Sequence, residues 1–331
     1  MKKILNAPAD YVDEMLEGLC AAHPAIYRQP EPRVIVRGDG AQRGKVGIVT
    51  GGGSGHLPVF TGYVGPGLLT AAAIGNVFAS PSAETMQAAI RHAHGGAGVL
   101  LLYGNYGGDV MNFDLAASMA DMEDNIKCKT VVLADDVVSA PPAEAQKRRG
   151  VAGMVYAFKM AGAKAEQGAD LAAVAATAQK AADACRSIGM ALTPCTVPMA
   201  GKPTFTIADD EMEMGMGIHG EPGVWRGKLK KADEIAAEML DRLLADRPLK
   251  RGDRASILVN SLGATPHEEL YILYRYAAKR LASLGVEIVS PLVGRYATSM
   301  EMTGATFTIC QLDGELEALL RAPAECAFWK V

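Results

Sequence analysis

Three glycine-bordered clusters of histidine and carboxylate, and one aspartate pair, hold most of the chemistry that this chain of 331 residues could perform. The densest is GGGSGH at residues 51–56, directly behind the β-branched run KVGIVT at 45–50. Glycines there let a backbone approach a ligand closely and aim its N–H groups inward. His56 then stands at the mouth of the loop, where an imidazole can serve as acid, base or hydrogen-bond donor. The plain alternative is a tight strand-to-helix turn that binds nothing. Ser54 is not the nucleophile of a GxSxG elbow, because that pattern needs glycine where His56 stands. No GxxxxGK[ST] phosphate loop occurs anywhere in the chain.

GNYGGD at 104–109 places Asp109 after the apolar run GVLLLY at 98–103. Its carboxylate reads equally as a site residue or as the N-cap of a helix starting at Val110. Asp135 and Asp136 follow TVVLA at 130–134; solvated or capping acids are the simpler reading, and although a carboxylate pair can hold magnesium, nothing else in the sequence points to one. In GIHGEPG at 217–223, Gly217 and Gly220 clear space around His219, and Glu221 is near enough to orient a ring nitrogen. A lone strand histidine is more often structural, so the glycines and the glutamate are what single this one out. His92, His94 and His267 lack such surroundings and are assigned no chemistry.

The elements that must position these clusters follow from periodicity. Val12, Met15, Leu16, Leu19 and Cys20 have helical spacing. Strand, polar loop and helix then recur three times, at 45–56, 98–109 and 130–136, which predicts a mostly parallel α/β sheet with its ligand beyond the carboxyl ends of the strands. Ser80 with Pro81 reads as the start of one helix, closed by Gly95 and Gly96. Residues 168–188 read as one long Ala-rich helix, and the domain boundary is placed near residue 190. Beyond it, 211–219 alternates with period two and reads as a strand ending in His219, followed by helices at 231–244 and 266–284 and strands at 255–260, 286–292 and 306–312. The expected architecture is thus two α/β domains, 1–190 with a mostly parallel sheet and flanking helices, and 191–331 with a mixed sheet and helices.

Composition narrows the partners. Lys+Arg 33 against Asp+Glu 37 gives a formal net charge of -4, far from the basic field that nucleic-acid binding requires, so neither nucleic acid nor an anionic membrane is expected. No apolar run reaches the ~18 residues of a transmembrane helix, and Ile4 and Leu5 alone do not make the apolar stretch of a signal peptide, so a cytoplasmic location is expected. The six cysteines show no CxxC pair or zinc spacing and read as reduced thiols.

In order along the chain, GGGSGH, GYVG (62–65), NY.GD with MNF (105–113), ADDV (134–137), RG.AG (149–153), GMGIHGEPG (215–223), NSLGATP.EELY (260–271) and Trp329 resemble the dihydroxyacetone-binding K subunit of dihydroxyacetone kinases over nearly the whole length. The resemblance implies a homodimer of two-domain α/β protomers that binds a short ketose as a covalent hemiaminal on a histidine, here His219. It implies acid/base and hydroxyl-binding roles for Asp109 and His56 and backbone contacts from Gly53, with Ser54, Gly55 and Gly104 completing the substrate-binding set. It also implies that this chain binds no cofactor or metal, while ADP or ATP with Mg²⁺ sits on a separate L subunit. An M-type phosphocarrier recharges that subunit in phosphotransferase-dependent systems, and other members use ATP directly.

The chemistry suits the residues: a neutral imidazole nitrogen adds to a ketone and not to an alcohol, which separates dihydroxyacetone from glycerol better than hydrogen bonds to similar hydroxyls would. Three departures from the family pattern stand out. Gly104 replaces a lysine common in the family, the first loop continues as Leu57, Pro58, Val59 and Phe60 in place of a GHEP pattern, and VFASPS at 77–82 differs beside the site. They make erythrulose or another four- or five-carbon ketose an alternative substrate. The competing class is a non-catalytic ketose-sensing or coactivator paralogue. A Ser54-His56-Asp109 hydrolase fails on spacing.

Overall fold

The computed structural model describes residues 2–331 and builds two sheets. The first sheet contains β1 (Tyr27–Glu31), β2 (Val34–Arg37), β3 (Gly47–Ser54), β4 (Ala71–Val77), β5 (Val99–Gly104) and β6 (Cys128–Leu133), ordered β1-β2-β4-β3-β5-β6. Its four central and distal strands β4, β3, β5 and β6 pair in parallel, and β1 and β2 add an antiparallel edge. Every residue of β3 and β5 is buried, which is what helices covering both faces of a parallel sheet require. Those helices are α1 (Tyr11–Ala22), α2 (Ala83–Ala93), α3 (Gly107–Asp124), α4 (Gly153–Glu166) and α5 (Leu171–Ala184).

The second sheet contains β7 (Cys185–Thr193), β8 (Glu211–Met214), β9 (Trp225–Lys228), β10 (Arg254–Ser261), β11 (Glu287–Ile288), β12 (Leu292–Gly294) and β13 (Thr303–Leu312), ordered β11-β10-β13-β7-β8-β9 with β12 beside β10. It is mixed: β11 and β12 run parallel to β10, and the other pairs are antiparallel. Helices α6 (Ala232–Asp246), α7 (His267–Ser283) and α8 (Gly314–Arg321) complete it. Helix α4 touches β3 and β5 of one sheet and β7 and β13 of the other. Being packed on both sides, it is apolar nearly all round, as a helix in that position must be. The last residues return to the first sheet, where the Ala327 N–H donates to the Tyr27 hydroxyl (3.1 Å).

Several local expectations change. The glycines of residues 51–53 do not form a loop: β3 continues through them to Ser54, because their bare faces admit neighbours. A Cβ on Gly52 would lie 2.2 Å from the Phe60 ring, and one on Gly53 would lie 2.6 Å from the backbone of Ala79. Residues 168–188 are not one helix. Asp170 caps α5 by accepting from the Ala173 N–H (2.8 Å), and from Cys185 the chain pairs antiparallel with β13, so tertiary pairing overrides the local Ala-rich bias. The boundary drawn near residue 190 falls within β7. Helix α2 is capped by Ser82 and not by Ser80. The strand expected at 211–219 stops at Met214, since Gly215 turns the chain at φ 87°, and the strand expected at 286–292 breaks at Ser290 (φ 46°) into β11 and β12.

Candidate functional site at the meeting of the two sheets

The site forms where the carboxyl ends of β3 and β5 face the turn after β8. Beyond β3 the chain passes through Gly55 (φ 104°) and is clamped by a segment of the second half. The Met300 N–H donates to the Gly55 carbonyl (2.8 Å), and the Thr298 hydroxyl donates to the Leu57 carbonyl (3.1 Å). This clamp seats His56, 1% exposed, with Nδ1 2.6 Å from the Thr298 carbonyl and Nε2 3.0 Å from Nε2 of His219. A carbonyl only accepts, so Nδ1 of His56 carries a proton. Burial, reinforced by the charge of His219, pushes the His56 imidazole down to about 3. Phe78 stacks on its other face at 4.9 Å between centroids.

His219 sits on the tight turn 215–220, and Glu221 holds it twice, accepting from its backbone N–H (2.9 Å) and facing Nδ1 (3.0 Å). Gly217 makes room for this: a Cβ there would lie 2.2 Å from Glu221 Oε2 and 2.5 Å from Arg149 Nη1. Burial alone would raise the Glu221 carboxyl, but the His219 ring and Arg149 hold it down to about 2. Arg149 in turn is fixed by Asp136 (2.7 Å) and by the Gly215 carbonyl (3.1 Å). Burial pushes Asp136 up to about 6 against that partner. The Tyr106 ring stands edge-on to His219 at 4.7 Å.

Asp109 lies in the first turn of α3, two residues inside it, so it does not act as the N-cap; Tyr106 occupies that position. Its side chain is buried and Oδ1 has no hydrogen-bond partner, as is also true of the Tyr106 hydroxyl. Burial pushes the Asp109 carboxyl up to about 6, with Ser80 and the His219 charge pulling the other way. A carboxyl poised near neutrality beside an imidazole is the usual condition of a proton acceptor in catalysis. Asp135 is structural: it accepts from the N–H groups of Val151 and Gly153 (2.8 Å each) and from the Ser187 hydroxyl.

Of the three side chains singled out by sequence, His56 and His219 therefore meet at 3.0 Å, and Asp109 lies within electrostatic reach of His219. Ser54 and Gly55 face elsewhere, lining a cavity of 520 Å³ with Leu57, Pro58, Arg295 and Met300 that His219 and Asp109 do not border. Gly53 is crowded by the Phe78–Ala79 backbone, and Gly104 lies against the Met154 sulfur and the Tyr106 ring, at 3.2 and 3.4 Å from a built Cβ. Sequence reasoning missed Thr298, Phe78, Tyr106 and Arg149. Tyr106, Arg149 and Phe78 lie inside segments already marked, whereas Thr298 is 242 residues from its partner His56 and leaves no local signal. All six cysteines are free thiols. Among the described residues no group of three or more His, Cys, Asp or Glu could hold a metal ion, and no helix is long and apolar enough to cross a membrane.

Comparison with known proteins identifies the family. The Dak1 domain matches residues 17–328. The dihydroxyacetone-binding subunit of the PTS-dependent dihydroxyacetone kinase 1 of Listeria innocua is 44% identical over 99% of this chain and 100% of its own. L-erythrulose kinase of Pectobacterium atrosepticum is also 44% identical over 98% of this chain, but the match spans only 55% of that longer protein. Among solved structures, a dihydroxyacetone kinase operon co-activator superposes with a TM-score of 0.89 at 32% identity, covering 96% of this chain and 97% of its own. A match of this length makes this chain a member of the Dak1 family, within its dihydroxyacetone-kinase K-subunit group.

Proposed function

We propose that this chain is the substrate-holding subunit of a short-ketose kinase, binding the ketone carbon covalently at Nε2 of His219. The observation that carries the reading is the grip of Glu221 on Nδ1 and on the backbone N–H of His219, which leaves Nε2 as the ring nitrogen turned toward His56 and the buried pocket wall. The carbonyl of a ketose placed there accepts the Nε2 lone pair and becomes a hemiaminal; a polyol has no carbon that can do so. A terminal hydroxyl of the bound sugar is then in position to satisfy the unpaired Oδ1 of Asp109. With its carboxyl near 6, Asp109 is mostly ionised at neutral pH and takes the proton of that hydroxyl as it attacks the incoming phosphoryl group. His56 lines the same space and binds a sugar hydroxyl. The phosphoryl group, with its nucleotide and Mg²⁺, comes from a partner L subunit docked on the homodimer, and supplies the electrophile that this chain's residues orient the sugar to meet.

Retention of the whole His56–His219–Glu221–Asp109 constellation favours this reading over a non-catalytic co-activator, despite the structural likeness to one. Erythrulose is the alternative substrate: Gly104 removes the family lysine beside Tyr106, and relatives named for dihydroxyacetone and for erythrulose are equally similar to this chain. The test is carbon NMR of the purified protein with dihydroxyacetone and with erythrulose, each labelled at the ketone carbon, and His219→Ala as control. Conversion of the ketone signal to a tetrahedral-carbon signal only with His219 present supports the reading and names the sugar. No conversion with either sugar refutes covalent binding.

A further inference from the structure

The proton count of the histidine pair deepens the reading of His219 as the ketose nucleophile, and depends on it. Three contacts lie in series: Thr298 carbonyl to His56 Nδ1 (2.6 Å), His56 Nε2 to His219 Nε2 (3.0 Å), and His219 Nδ1 to Glu221 Oε1 (3.0 Å). Each needs one proton, because the outer acceptors, a carbonyl and a carboxylate, have none to give. Two neutral imidazoles carry only two. With two protons, either Nδ1 of His219 would face a carboxylate lone pair to lone pair, or the two Nε2 atoms would do the same across 3.0 Å between the flanking rings of Phe78 and Tyr106.

We propose that the substrate-free site is a protonated histidine pair, with the third proton on Nε2 of His219 capping the nucleophile, and that Glu221 is the positioning residue that keeps it there. The charge is balanced locally: His219 as imidazolium, Glu221 as carboxylate, His56 neutral and accepting. The other charged or titratable groups facing the pair are Asp109 and Tyr106 from the β5–α3 turn, Arg149 from the segment before α4, and Asp136 after β6. Arg149 and Asp136 neutralise each other at 2.7 Å; Glu221 is the carboxylate in contact with the ring, and Asp109 adds a second negative charge within electrostatic reach of His219.

The stored proton gives adduct formation a closed balance. As the ketose enters, the Nε2–H bond of His219 breaks and its electron pair forms the bond to the ketone carbon. The carbonyl π pair becomes the O–H bond of the hemiaminal, taking up the released proton. The ring stays cationic through its new carbon substituent, Nδ1–H still faces Glu221, and no proton is exchanged with solvent. The His56–His219 contact is therefore a latch: it keeps the nucleophile capped until a carbonyl oxygen is present to receive the cap.

The experiment is a nitrogen-15 NMR titration of the histidine rings in the ligand-free full-length protein, assigned with His56→Asn and His219→Ala. At pH 7 both nitrogens of His219 should be protonated, and His56 should carry its proton on Nδ1 alone. Glu221→Gln takes the carboxylate acceptor away from Nδ1 of His219, so the second ring proton should be absent at pH 7 and the ketose dissociation constant at pH 7 should rise by about tenfold, the scale of one ion pair in a partly buried site. A merely structural role for Glu221 would leave the ring protons of His219 at pH 7 unchanged in a correctly folded variant. A bare Nε2 on His219 at pH 7 in the wild-type protein, or an unchanged pair of ring protons in Glu221→Gln, overturns the proposal; the wild-type spectrum decides even if the variant does not fold. The carbon-labelled adduct is a separate readout, since it forms or fails to form wherever the proton of the free site resides.

Discussion

Replacing Asp109 by asparagine should strengthen the fold and abolish phosphoryl transfer together. Burial moves this carboxyl from its ordinary 3.8 to about 6, so the folded protein must ionise a group it would rather keep protonated. An acid whose pKa is raised on folding destabilises the native state above that pKa, and the penalty fades as pH falls toward the unfolded value. At about 1.4 kcal/mol per pH unit, the ionised Asp109 costs about 3 kcal/mol at pH 7.5 and about 1 kcal/mol at pH 4.5. Asparagine carries no such penalty at either pH, while its contacts with the pocket wall are the same at both. Denaturant unfolding of wild-type and Asp109→Asn protein at the two pH values therefore isolates ionisation from packing: the variant's relative stability should rise by about 2 kcal/mol between pH 4.5 and 7.5. A pH-independent difference would mean that Asp109 titrates normally and is not desolvated, and the argument for it as a base poised near neutrality would fail with it.

Kinetics of the assembled kinase should show an acidic limb, kcat falling about tenfold per pH unit below a midpoint near 6, while the labelled ketone still forms its adduct in Asp109→Asn; an active Asp109→Asn enzyme removes its role as base. His219→Ala should lose discrimination between ketose and polyol, measured by calorimetric titration of both, and retained selectivity would refute covalent recognition. Gly217→Ala puts a methyl 2.2 Å from Glu221 Oε2 and should weaken the adduct by about tenfold or more, read as the fraction of tetrahedral carbon signal, through displacement of the carboxylate from His219. Gly104→Lys should shift preference toward the three-carbon ketose in a substrate panel; Met154 must yield to admit it, since a Cβ there lies 3.2 Å from its sulfur. Lys159 is fully buried with its ammonium on the Leu319 carbonyl, and burial holds it down to about 8, so Lys159→Met should stabilise the protein at pH 7, with the advantage shrinking above about pH 8.

The parallel half of the fold was legible because its strands are uninterrupted apolar runs punctuated by glycine, and the site was legible because its motifs sit at those punctuation marks. What could not be read locally was the competition between elements. Residues 185–188 look like the end of an Ala-rich helix and become a strand only because β13 offers eight pairing positions to β7. The glycines of 51–53 were expected to cradle a ligand and instead let Phe60 and the Phe78–Ala79 turn press onto β3, which is a packing role that places Phe78 against His56. Asp109 read as well as a cap as it did as a base; only its position inside α3 and its unpaired oxygen separated the two. Thr298, which fixes the tautomer of His56, belongs to a segment with no motif of its own.

The two histidines come from opposite halves of the chain, His56 from beyond β3 and His219 from beyond β8, and a sugar bonded to one while touching the other spans the seam between them. Such a sugar acts as mortar. A saturating ketose, at about a hundred times its dissociation constant, should therefore add about 2.7 kcal/mol to the state in which both halves are in register. The protein's resistance to heat and proteolysis would then track the supply of its own sugar, and a starved cell would hold the same chain in a looser, shorter-lived form.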